Sequence, residues 1–212
     1  MGILPSGIFG GFYKKTGPVV GRITKGKNVV TGLYHPSTNP STEKQLTEQQ
    51  KFTMLNAFFN GISPLVNIGF KLFAKRRNAL NEAYKFNCPN AFVLVGGQYQ
   101  IDYPKMVYSR GNVDRPNGLQ IAVINGHVAF SWIAVEETMF CRLNDKATFL
   151  VYNAVRNEFI WTINAAERQQ LGYSLEMPSE YAGDLLHCYM NFNNENGKIT
   201  GDSVYAGLLI FE

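Results

Sequence analysis

Apolar positions along this chain follow three different rhythms. Residues 7–33 are glycine-punctuated: Gly7, Gly10, Gly11, Gly17, Gly21, Gly26 and Gly32 separate short apolar pieces such as Val19-Val20 and Val29-Val30. The spacing predicts a hairpin, Pro18–Thr24 and Lys27–Leu33, closed by a tight turn at Lys25-Gly26. Two strands alone are marginal in water, so the hairpin must lie on the helices, join a later sheet or pair with another chain.

A helical rhythm takes over between Ser41 and Phe86. Ser41 or Thr42 can cap the first amides, and Glu43 suits the positive end of the dipole. Phe52, Leu55, Phe59 and Ile62 recur at helical spacing and read as one buried face, with Gly61 ending the helix. Ser63-Pro64 predicts a restart with Ser as cap, burying Leu65, Ile68, Leu72 and Phe73. A third short helix is expected from Asn78 to Phe86, carrying Leu80 and Ala83.

Gly96-Gly97 breaks the apolar run Ala91–Val95, and the period then drops to two. Candidate strands are Tyr99–Asp102 with Met106–Ser109, Leu119–Ile124, His127–Ile133, Ala147–Asn153, Glu158–Ile163, Gly172–Glu176, Leu185–Phe192 and Ser203–Phe211. Their spacing is that of sandwiches and barrels. Asn125-Gly126 marks a type I′ hairpin, because both residues accept positive φ. Trp132 and Trp161, with Phe130, Phe149, Val151, Tyr189 and Phe192, are the expected core. Residues 134–145 are a surface loop or an irregular edge strand. The domain division follows the change of period: 1–98 for the arm and helices, 99–212 for the β-sandwich.

At 212 residues and 45% hydrophobic, the chain can bury a substantial core. No apolar run approaches the roughly 20 residues of a membrane-spanning helix, so no membrane partner is expected. The N-terminus lacks the layout of a secretory signal. Cys88, Cys141 and Cys188 are odd in number and form no C-x-x-C pair, which fits free thiols in a reducing cytoplasm. The net charge of +4 is unevenly spread. Lys14, Lys15, Arg22, Lys25 and Lys27 occupy the first 42 residues without an acid, and Lys75, Arg76 and Arg77 form a second basic run. The β-rich remainder is net acidic. These eight cations are the candidate site, for an anionic partner or for contact with the acidic half of another copy.

Catalytic chemistry is not suggested by any motif. Gly21 to Lys27 has the spacing of a phosphate loop, but Asn28 stands where a hydroxyl should hold Mg²⁺. His187 and Cys188 are adjacent in a strand and point to opposite faces, so they cannot share a metal. Glu136-Glu137 reads as a solvated loop pair. No cofactor, metal or small-molecule substrate is expected.

The whole chain resembles an uncharacterised family of proteins of roughly this length from Bacteroidetes and their mobile elements. The resemblance is carried by Gly17-Pro18-Val19-Val20-Gly21 with Gly26-Lys27, Pro36-Ser37-Thr38, Thr42-Glu43, Gln45-Leu46 and Ile68-Gly69-Phe70. It continues through Tyr108-Ser109-Arg110-Gly111, Asp145-Lys146-Ala147, Val151-Tyr152-Asn153 and Ser203-Val204-Tyr205 with Gly207. It implies an α+β protein, with an N-terminal hairpin and short helices before an antiparallel immunoglobulin- or fibronectin-like sandwich. The opening segment looks like parts of phage structural proteins. The expected function is therefore a non-enzymatic structural or interaction protein, a phage or prophage virion component that binds copies of itself or partner subunits. The alternatives are a nucleic-acid-binding accessory protein using the basic arm and a carbohydrate- or surface-binding sandwich.

Overall fold

The computed structural model describes residues 3, 10–24, 26–36, 39–74 and 78–212. The chain divides into two compact units, Met1–Thr42 and Glu43–Glu212. That division falls ahead of the helices, which bury their phenylalanines against the later strands.

The first unit is an antiparallel sheet of β1 (Lys14–Thr16), β2 (Val19–Thr24) and β3 (Lys27–Gly32), in that order. Gly26 has φ +75°, as a tight turn requires. The expected hairpin is present, extended by the short strand β1. Gly21 is the one buried residue among those described in this unit.

The second unit opens with α1 (Glu43–Gly61), α2 (Ser63–Gly69) and α3 (Ala79–Asn87). Asn78 caps α3, its side chain accepting from the Leu80 amide at 2.9 Å. The cap position of α2 is Ile62; Ser63 already lies inside the helix. A hairpin follows, β4 (Phe92–Val95) and β5 (Gln98–Ile101). Gly96 and Gly97 both have positive φ and turn the chain where the sequence suggested a mere break.

Seven further strands form two antiparallel sheets. They are β6 (Gln120–Ile124), β7 (His127–Ser131), β8 (Lys146–Asn153), β9 (Glu158–Glu167), β10 (Gly172–Glu176), β11 (Leu185–Asn193) and β12 (Val204–Ile210). One sheet has the order β10-β7-β6 and the other β12-β11-β8-β9. Among the described residues the fold is α+β, mostly antiparallel sheet with three α-helices.

Alternation on the strands builds two cores. Val128, Phe130 and Leu175 of the first sheet meet Phe149, Val151, Leu186, Cys188, Met190 and Phe192 of the second, with Trp132 among them. Leu150, Tyr152 and Tyr189 point the other way, against Leu55, Phe58, Phe59 and Ile62. Each such large side chain contributes roughly 1.5–3 kcal/mol on burial. β8 and β11 are thus covered on both faces.

Five expected core residues are placed differently. Trp161 follows the inward-facing Ile160, so it must face outward, and it is 36% exposed. Phe52 packs edge-on against Tyr84 at 5.1 Å yet stays half exposed, while Phe58 enters the core instead. Leu72 and Phe73 lie beyond the end of α2 and remain exposed. Tyr189 is buried, but outside the sandwich. Residues 106–109 form no strand. Their backbone is satisfied by side chains, Asn87 bonding Val107 at both its amide and carbonyl and the Ser203 hydroxyl accepting from the Tyr108 amide.

Candidate interaction site

Of the eight cations singled out in the sequence, the structure describes Lys14, Lys15, Arg22 and Lys27. Lys25, Lys75, Arg76 and Arg77 lie outside the described residues. The strand register sorts the arm into two faces. Lys15 is opposite Val20, Arg22 opposite Val29, and Lys27 opposite Thr24, so these three cations share one face. Lys14 falls in register with Gly21, on the face that carries Ile23 and Val30. All four cations are exposed. The backbone of Phe12 crosses that second face at Gly21, where an added Cβ would sit 2.2 Å from the Phe12 carbonyl oxygen. Ile23 and Val30 stay more than half exposed.

Most of the residues considered for chemistry have defined structural surroundings. Gly21 to Lys27 is a strand–turn–strand, not a strand–loop–helix. The His187 ring lies tilted against Tyr103, with centres 4.2 Å apart, and its Nδ1 lies 2.9 Å from the Tyr205 hydroxyl. Burial holds this imidazole down at about 4. Cys188, on the opposite face, is pushed up to about 12 by burial, and burial also raises Cys141. Neither thiol is an activated nucleophile. All three cysteines are free. Glu137 accepts from the Leu143 amide at 3.0 Å and pins the 134–145 loop. Among the described residues no group of three His, Cys, Asp or Glu could hold a metal ion.

Buried polar groups elsewhere are mutually satisfied. Arg168 and Asp145 pair at 3.2 Å, both 3% exposed at the side chain, and the Arg168 guanidinium lies 3.7 Å from the Phe192 ring centre. Asn191, Asn193, Thr200, Ser109 and Thr148 form a hydrogen-bonded network between the helices and the second sheet. They line a void of about 10 Å³, room for one water. These groups satisfy one another's hydrogen bonds and fix register.

One arrangement had no counterpart among the sequence candidates. Arg110 lies 4.1 Å from the Phe86 ring centre and 4.9 Å from that of Phe73, in a groove of about 270 Å³. Phe70, Glu82, Lys85, Pro89 and Asn90 complete its walls. Gly69 makes the approach possible, since a Cβ there would sit 2.4 Å from the Tyr108 carbonyl oxygen. The sequence signal was the pair of short stretches Ile68–Phe70 and Tyr108–Gly111. Nothing in their spacing says that they touch.

No helix among the described residues is long and apolar enough to cross a membrane. No curated protein matches the chain. Over residues 11–207 the chain matches the family of unknown function DUF6266, and it belongs to that family.

Proposed function

We propose that this is a non-enzymatic assembly protein that binds copies of itself through its basic arm. One observation carries the reading. Among the described residues, the arm forms a hydrogen-bonded three-stranded sheet with no buried apolar side chain. A ladder of that size without a core is not stable alone and completes itself against a covering surface. Its face with Lys15, Arg22 and Lys27 suits an acidic one, and the β-rich part of another copy is net acidic. The apolar strand β4 supplies a second contact, since Val93, Leu94 and Val95 are each exposed.

Deleting residues 1–34 and following mass by light scattering tests this. The full chain is expected to form an oligomer that dissociates as salt rises, and the truncated chain to be monomeric. A full-length protein that is a salt-independent monomer, with the arm amides protected from hydrogen exchange, overturns the reading.

The seven-stranded part we read as a fibronectin-like sandwich. The supporting facts are the orders β10-β7-β6 and β12-β11-β8-β9 and the shared core between them. Incorporation into a phage or prophage particle rests on the likeness of the glycine-rich opening to phage structural segments alone. The second reading, a nucleic-acid accessory protein, is favoured by the three cations on one arm face. Salt-dependent binding of a duplex DNA fragment that is lost with residues 1–34 would replace the first reading by it.

A further inference from the structure

The geometry points to the groove around Arg110 as a binding site for single-stranded nucleic acid, with Arg110 and Lys85 on a phosphate and Phe73 under a base. This proposal is independent of the assembly reading and uses no arm residue.

Arg110 is held at three levels. Its amide donates to the Gly69 carbonyl at 3.0 Å. The residues on either side are fixed as well, the Ser109 carbonyl accepting from Ser203 at 2.9 Å and the Gly111 amide donating to Asp202 at 3.0 Å. The side chain lies against the rings of Phe86 and Phe73. Yet its guanidinium donates to no acceptor among the described residues. A planar fork of donors, oriented in advance and unpaired, is a receptor for an oxyanion, and phosphate fits it in a two-point contact.

The rest of the groove decides between anions. Phe73 is 42% exposed although it lies beside a buried phenylalanine, Phe70. Pro89 and Asn90 line the same space of about 270 Å³, the order of one nucleotide unit. Exposed Lys85 adds a second cation to the lining. Glu82 is the one acid among the lining residues. An acidic peptide would use the cations but not the part of the Phe73 ring that its contact with Arg110 leaves exposed. A pre-oriented guanidinium and a second cation beside an exposed aromatic face are what an unpaired strand requires.

The test is fluorescence anisotropy of labelled ten-nucleotide oligo-dT and oligo-U on the full-length protein. Both are expected to bind, with affinity falling as salt rises. Arg110→Lys keeps the charge but loses the fork and is expected to weaken binding about tenfold. Phe73→Ala, at an exposed ring, is expected to do the same, by the usual size of one stacking contact. A triple arm variant, Lys15→Gln with Arg22→Gln and Lys27→Gln, is expected to change it less than about twofold. Thermal melts of each variant show whether it is folded, and Phe73→Ala keeps the test alive if Arg110→Lys is not. Absence of binding, insensitivity to both groove variants, or equal binding of a poly-glutamate peptide overturns the proposal. An unchanged oligomeric state in Arg110→Lys and Phe73→Ala separates this result from that of the arm.

Discussion

Two antiparallel ladders in this molecule look alike on paper and differ in what sustains them. β2 and β3 pair over Val19–Thr24 and Gly32–Lys27, and β6 and β7 pair over Gln120–Ile124 and Ser131–His127. Both pairs turn through a glycine of positive φ. In β7 the alternating Val128 and Phe130 are fully buried, whereas Ile23 and Val30 of the arm are 61% and 57% exposed. A backbone hydrogen bond nets about 1 kcal/mol, and ordering one residue costs about 1–2 kcal/mol. Ladders therefore roughly cancel their own ordering cost, and buried side chains decide stability. The second unit has two cores, and the arm has none among its described residues.

The comparison can be broken most sharply at Trp132. Its indole is buried between Phe149 and Phe192, and its N–H donates to the Arg168 carbonyl at 2.8 Å. Trp132→Ala is expected to cost about 3–5 kcal/mol in urea denaturation. A loss below about 1 kcal/mol would mean that the assigned inner face is wrong. Asp145→Ala leaves the buried Arg168 charge without its partner and is expected to cost about 3 kcal/mol, read in the same way.

Next comes the close contact of α2. Gly69→Ala forces a methyl into the Tyr108 backbone and is expected to cost about 1–3 kcal/mol. A neutral result would show that the helix can slide on the loop below it.

His187 gives a smaller, pH-dependent effect. Burial lowers its folded pKa from 6.5 to about 4, so between those values the unfolded chain takes up a proton that the folded chain refuses. Stability from this group is complete above pH 6.5 and is lost as pH falls toward 4. Because the ring is partly exposed, the loss is expected to be only about 1–2 kcal/mol. The neighbouring Tyr152 and Tyr205, both raised by burial, stay neutral across this range. Carboxylates with lowered pKa, such as Asp184, add their own acid-side loss, so the measurement is the difference in slope between wild type and His187→Gln. Equal slopes would place His187 in water.

The smallest effect belongs to the arm. Ile23→Thr is expected to change the unfolding free energy by less than about 0.5 kcal/mol. A larger loss in dilute monomer would show that the arm has a core after all.

Local chemistry alone made much of the second unit readable. Asn125-Gly126 prescribes its hairpin by positive φ, Asn78 caps its helix, and β10 runs from Gly172 to Glu176 as the alternation predicts. Periodicity states which residues share a face, but not what that face will meet. So Phe52 and Phe58, both on α1, exchange places between solvent and core, and Trp161 turns outward by the parity of β9. Residues 106–109 have the composition of a strand, yet Asn87 and Ser203 take the hydrogen bonds that a neighbouring strand would have made. The basic arm was legible as charge, and only the register of β1, β2 and β3 put Lys15, Arg22 and Lys27 on one side. Arg110 was visible in a short stretch with no chemistry attached. Its place against Phe73 and Phe86 depends on two segments some forty residues apart meeting at Gly69, a contact of the tertiary structure that short-range propensity does not encode.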